Sequence, residues 1–206
     1  MNPVLARLAR SVSSSSRARK LEHILSFVPP GSTVLCLGVS TQIGVGTQSA
    51  IERRLLAERP GWGLTYEATA AGAFAGRLVR ADARRLPFAD DSFDYVISNA
   101  VIEHVGGPAG AQQLVAESTR VARHGWLHTT PNRLFPVEVH TGIPALHWLP
   151  TGARESAFAG VGRPFPAESY WLFSPRRLQD LDPRARVITT DPLKPPMTLI
   201  LERVLP

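Results

Sequence analysis

Arg80–Val105 reads RADARRLPFADDSFDYVISNAVIEHV, and its punctuation decides how the chain is read. FDYVISNA (93–100) is an apolar run entered through the Asp90-Asp91-Ser92 turn, so it reads as a buried strand. RLVRADA (77–83) reads as a shorter strand that stops at a carboxylate, Asp82. A second acid, Asp94, opens the longer run, and Glu103-His104 follows its end.

Working outward, STVLCLG (32–38) is continuously apolar, as in a parallel strand buried on both faces. WGLTYEA (62–68) and WLHTTPN (126–132) read as further strands. Helices fall between them at 48–59 and along the stripe Ala111, Leu114, Val115, Ser118 and Val121, with Gly125 as the expected stop. Ahead of the first strand, Leu21, Ile24, Leu25 and Val28 mark a helix over 17–28. The serines at 13–16 read as its N-cap, behind a separate short helix over 1–11. Alternating strands and helices predict βαβ units on a mostly parallel sheet. Near the end, Ser174-Pro175 caps a helix, and RVITT and MTLILERV predict an antiparallel hairpin at the sheet edge. Residues 133–170, broken by prolines and glycines, read as an irregular lid or substrate segment.

With 206 residues, 44% of them hydrophobic, the chain reads as one domain with residues 1–30 as an N-terminal helical segment. No apolar run is long enough to span a bilayer. A single cysteine, Cys36, fits a reducing, cytoplasmic setting. The net charge of +6 is carried by scattered arginines, with Lys20 and Lys194 the sole lysines. A nucleic-acid surface clusters its cations, so this dispersion argues against one. Nothing in the pattern bears on oligomeric state.

In an open α/β sheet, ligands bind outside the carboxyl ends of the strands. Gly38 with its loop, Glu67 and Asp82 fall at three such ends. An ionised carboxylate only accepts hydrogen bonds, so Glu67 suits a ribose diol and Asp82 an adenine amine, with the Ala83 N–H on a ring nitrogen. Leu86 and Phe88 are expected to cover the base. The loop GVSTQIGVG (38–46) lacks the G-x-G-x-x-G spacing that cradles a pyrophosphate, which argues against a dinucleotide. S-adenosylmethionine (SAM) has no phosphates. Gly38, Gly44 and Gly46 would let the backbone approach its methionine tail, with Val39 also a cofactor contact, and the tail's carboxylate suits the helix N-terminus after Thr47.

The stretch ADARRLPFADDSFDYVISNAVIEHV resembles the central segment of class I SAM-dependent methyltransferases, particularly the type 11 group. D-A-x-x-L-P-F, S-F-D and x-E-H-V occur there in order, and the likeness extends over residues 18–132. It implies a Rossmann-like seven-stranded sheet, mostly parallel with an antiparallel C-terminal edge strand. It also implies that Asp82 contacts adenine, that Glu67 contacts ribose, and that Asn99 and Ala100 lie beside the sulfonium. The first strand departs from the family pattern: Cys36 stands where an acid is expected, and VSTQIGVG follows Gly38.

Methyl transfer from an activated sulfonium is dominated by positioning, and a base is needed only where the acceptor starts protonated. His104 and His140 are the candidates, with His147 a third in the irregular segment. Tyr170, Trp171 and Phe173 read as acceptor pocket or as core. No histidine or cysteine pair has metal-ligand spacing, so no metal is expected. The expected activity is methylation of an oxygen or nitrogen on a small-molecule or lipid-linked acceptor. The alternative is a methyltransferase fold that has lost its donor loop and acts by binding a partner.

Overall fold

A computed structural model describes residues 3–40, 50–66, 76–160 and 170–206. Its frame is a seven-stranded sheet of order β3-β2-β1-β4-β5-β7-β6. Strands β1 (Val34–Leu37), β2 (Gly61–Thr65), β3 (Leu78–Arg80), β4 (Phe93–Asn99) and β5 (Ala122–Pro131) pair in parallel. The C-terminal hairpin of β6 (Arg186–Ile188) and β7 (Thr198–Val204) closes the sheet, with β7 antiparallel to both β5 and β6. Within it β7 lies inside β6, consistent with a strand buried over all but its last residue.

Helices cover both faces. On one, α1 (Pro3–Phe27), the Val28 that follows it and α2 (Ala50–Glu58) bury Ile24, Val28, Ile51 and Leu55 against Val34, Cys36, Ile97 and Ile200. On the other, α3 (Gly107–Val121) and α5 (Pro175–Gln179) bury Ala111, Leu114 and Leu178 against Leu35, Val96, Trp126 and Leu201. Ser174 caps α5 as its sequence implies, its hydroxyl accepting from the Arg177 N–H.

Three expectations change. The serines at 13–16 lie inside one continuous α1, because no glycine or proline interrupts residues 4–27 and serine alone costs a helix little. Gly125 does not stop α3. It is a β5 residue, where a Cβ would lie 2.7 Å from the Arg203 carbonyl oxygen and 3.1 Å from the Phe27 ring. Residues 133–160 are less irregular than their prolines suggest: a 3₁₀ turn (Leu146–Trp148) and α4 (Thr151–Gly160) form there. Leu146, Phe158, Tyr170 and Leu172 give this segment its own small core.

Candidate functional site

The strand order reverses between β1 and β4, and in such sheets the crevice outside their carboxyl ends is where ligands sit. Gly38 leaves β1 at φ +74°, and a Cβ there would lie 2.2 Å from Val101 Cγ2. Both the backbone angle and the contact require glycine. Val39 is buried beside it and bonds through its N–H to the Leu64 carbonyl at 2.9 Å. Across the crevice, Ala100 leaves β4 at φ +58°, a left-handed conformation that is uncommon for alanine. Its N–H donates to the Thr129 carbonyl at 3.0 Å, while Thr129 Oγ1 donates to Asn99 Oδ1 at 3.0 Å. Behind it Glu52 is buried on α2, and desolvation pushes its carboxyl above the ordinary range.

Asp82 lies at the end of β3, as its position after RLVR implies, but its carboxylate is engaged. Arg84 grips it through Nε at 3.0 Å from Oδ1 and Nη2 at 2.7 Å from Oδ2, and the Arg84 N–H closes a tight turn onto Oδ1 at 2.9 Å. These bonds hold the carboxyl below its usual range. Leu86 is buried in the core, and Phe88, half-buried, meets Phe93 edge-on at 5.0 Å. Ala83 packs into the same core. Asp94, the other acid of this stretch, sits at the opposite end of β4. It accepts from the Thr33 N–H at 2.8 Å, the Thr33 hydroxyl at 2.9 Å and Arg123 at 2.9 Å, and so is a structural clasp. Gly44, Gly46 and Glu67 lie outside the described residues.

On the far side of Ala100 the fold assembles a cluster that no single stretch of sequence displays. Glu138 is fully buried and receives five hydrogen bonds. They come from the His140 N–H and Nδ1, the Thr141 N–H and hydroxyl, and the Tyr170 hydroxyl, all at 2.7–2.9 Å. Burial opposes ionisation there, but the donors from His140, Tyr170 and Thr141 outweigh it and hold the carboxylate far below its usual range. An ionised Glu138 only accepts, so the His140 Nδ1 contact at 2.9 Å is an N–H donated to it. Burial and the same carboxylate push the Tyr170 phenol well above its ordinary value.

His104 joins from the 3₁₀ turn Ile102–His104, stacking on Tyr170 with ring centroids 5.5 Å apart and meeting His140 edge-on at 5.5 Å. Its neighbour Glu103 is completely buried, and neither carboxylate oxygen has a hydrogen-bond partner. The Thr130 hydroxyl is near enough to favour the anion without closing a bond, yet desolvation still raises this carboxyl. Both expected histidines, His104 and His140, are thus brought together. His147 is not among them: it is buried with Nε2 on the Arg133 carbonyl at 3.0 Å, a tether for the 133–160 segment. Phe173 is core, whereas Tyr170 belongs to the cluster.

A cavity of about 670 Å³ opens beside this cluster. Lys20 of α1, Ala100, Thr129 and Thr130 at the ends of β4 and β5, and Glu138 and His140 line it. Such a volume admits a small-molecule ligand. Sequence reasoning missed Glu138 and gave Tyr170 only as acceptor pocket or core, since their bond exists only once 138–141 packs against residue 170. It also missed His128, a fully buried β5 histidine with Nδ1 2.8 Å from Ser98 Oγ, whose pKa desolvation lowers to about 3.

The central part of this framework matches a family model described as a methyltransferase domain. The match covers residues 63–128. An uncharacterized methyltransferase from Mycobacterium avium is 52% identical over 52 residues, which make up 25% of this chain and 19% of that protein. The chain therefore matches about a fifth of the length of such curated relatives. A SAM-dependent methyltransferase structure from Thermotoga maritima shares the fold at TM-score 0.59 and 14% identity, over 97% of this chain and 95% of the other. Another fold neighbour is the complex of the Haloferax volcanii Trm112 methyltransferase activator with its methyltransferase. That match has TM-score 0.57 and 16% identity, over 94% and 91% of the two chains. The seven-stranded order and the antiparallel β7 accord with this fold.

Proposed function

We propose that the chain acts as a single-domain SAM-dependent methyltransferase, transferring a methyl group to an oxygen or nitrogen of a small-molecule or lipid-linked acceptor. The observation that carries the reading is the crevice at the β1/β4 switch point. Its two lips, Gly38 and Ala100, both adopt left-handed backbone, and Ala100 also lines the cavity that His140 lines. SAM supplies an electrophilic methyl on a sulfonium when bound. Gly38, Val39 and Gly44 would address its methionine tail, Glu67 its ribose hydroxyls, and Asp82 and Ala83 its adenine. Asn99 and Ala100 would face the reacting end.

The residues fit that group in part. The backbone turns through left-handed angles at Gly38 and Ala100, with Val101 packed against Gly38, and Asp82 must share its carboxylate with Arg84. The remaining lone pairs of a bidentate carboxylate can still accept an amine. On the acceptor side, Glu138 and Tyr170 fix the His140 ring through Nδ1, so its Nε2 is held in one orientation. His104 stacks alongside. These two histidines act on the acceptor heteroatom, and Lys20 lines the same cavity. The reading places the enzyme in a reducing, cytoplasmic setting.

Incubation with methyl-labelled SAM and fractionated cell extract tests the proposal. A labelled product that disappears with His140→Ala is the expected result. SAM binding without any labelled product would favour the partner-binding alternative instead.

A further inference from the structure

The fully buried Glu103 carboxylate has no hydrogen-bond partner, and a charge or polar group left so costs several kcal/mol unless something compensates it. Two imidazoles stand beside it. One potential ligand atom from each of Glu103, His104 and His140 lies within 4.8 Å of the other two. We propose that Glu103, His104 and His140 bind a first-row divalent transition-metal ion at the wall of the acceptor cavity.

The donor set selects the ion. Two imidazole nitrogens and one carboxylate oxygen suit zinc, manganese, iron or cobalt, and fit magnesium or calcium poorly, since these prefer all-oxygen shells. Three protein ligands with a remaining open position are the arrangement of substrate-binding metal sites, whereas structural zinc sites are closed by four. Ligand bonds of about 2.0–2.1 Å in a tetrahedron place ligand atoms about 3.3 Å apart. A cluster spanning up to 4.8 Å reaches that spacing through side-chain rotations of about an ångström, without backbone movement.

The surroundings are arranged as for a ligand. Metal-bound histidines commonly donate their second nitrogen to a carboxylate, which fixes the tautomer and strengthens the ligand. Glu138 does this for His140 at 2.9 Å, and is itself held by Tyr170 and Thr141. His104 is pinned by its stack on Tyr170 and by the turn bond from its N–H to the Val101 carbonyl at 2.8 Å. The Trp171 N–H bonds to the Glu103 carbonyl at 2.8 Å, tying residues 170–171 to the same turn. The sequence conceals this site because its ligands come from a turn after β4 and from a segment more than thirty residues later. Because His140 also lines the cavity, the open position faces an incoming acceptor, whose oxygen the ion would hold.

The site itself does not depend on the methyl-transfer reading; only the acceptor's role does. The test is therefore run on the full chain without SAM. Metal-free protein is titrated with Co²⁺, following its visible absorption, and then back-titrated with Zn²⁺. One equivalent of Co²⁺ is expected, displaced by one of Zn²⁺. Glu103→Gln should weaken binding by about 100-fold, and Tyr170→Phe by about 10-fold through loss of the support around His140. His124→Ala, at an exposed histidine, should leave it unchanged. If Glu103→Gln fails to fold, His140→Ala is read in its place. Absence of a one-to-one Co²⁺ spectrum, or a spectrum indifferent to both ligand variants, overturns the proposal. SAM binding measured separately by calorimetry distinguishes failure of the metal site from failure of the methyltransferase reading.

Discussion

The two sides of the β4 carboxyl end are built on opposite principles. On the β3 side, Asp82 is partly exposed and bonded to its near neighbour Arg84, two residues along the chain. On the β5 side, Glu138 is wholly buried and draws its donors from residues as far away as Tyr170. Solvent screens the first pair, so it is worth little to the fold and can exchange its partner. The second network is dry and nearly saturated, so its geometry is fixed in advance. The teaching is that one side is suited to receive a ligand by exchanging hydrogen bonds and the other to position one.

Four perturbations bear on this contrast, in falling order of expected size. His128, on β5 beneath the rigid side, is neutral when folded, with its pKa lowered to about 3 from an ordinary value of 6.5. The unfolded chain therefore binds the extra proton between these values. Stability from this residue is complete above pH 6.5 and is lost as pH falls toward 3, by about 3–5 kcal/mol in all. Urea unfolding across that range should show a steeper acid loss for the wild type than for His128→Asn; matching slopes would mean the ring is not dry.

Gly38→Ala comes next. A left-handed angle and a Cβ 2.2 Å from Val101 Cγ2 should destabilise by about 3 kcal/mol. Pairing it with Val101→Ala should recover part of that loss, and no recovery would place the cost in the backbone angle alone.

Tyr170→Phe deletes a hydroxyl that donates to the Glu138 carboxylate at 2.7 Å. Because the acceptor is charged and buried, about 2 kcal/mol should be lost, read from denaturation midpoints. Arg84→Ala is the smallest. An exposed pair contributes under about 1 kcal/mol, so stability should barely move. Affinity for SAM should hold or rise as Asp82 is released. A large loss of affinity would instead make Arg84 itself part of the donor site.

The same contrast explains what could be read from sequence. Strand alternation, the turn before Phe93 and the Ser174-Pro175 cap are local signals, and the sheet and α5 follow from them. Glu103 and His104 stood out because they directly follow a strand. Asp82 was legible as a strand-end acid, but its clamp by Arg84 was not, since an arginine two residues on has many places to point. The purpose of Glu138 is invisible in LFPVEVHTG: only folding shows that five donors converge on it. The continuous α1 was missed by giving serines the weight of a helix stop, and Gly125 by giving it a helical role when strand packing against Arg203 required it.

Calorimetric titration of the full chain with SAM, alongside Asp82→Ala, tests the central claim most directly. The account predicts one SAM per chain, with the variant weakened by about 10-fold or more through loss of a charged acceptor. Absence of heat and of competition by S-adenosylhomocysteine would contradict it, leaving a methyltransferase fold without its donor.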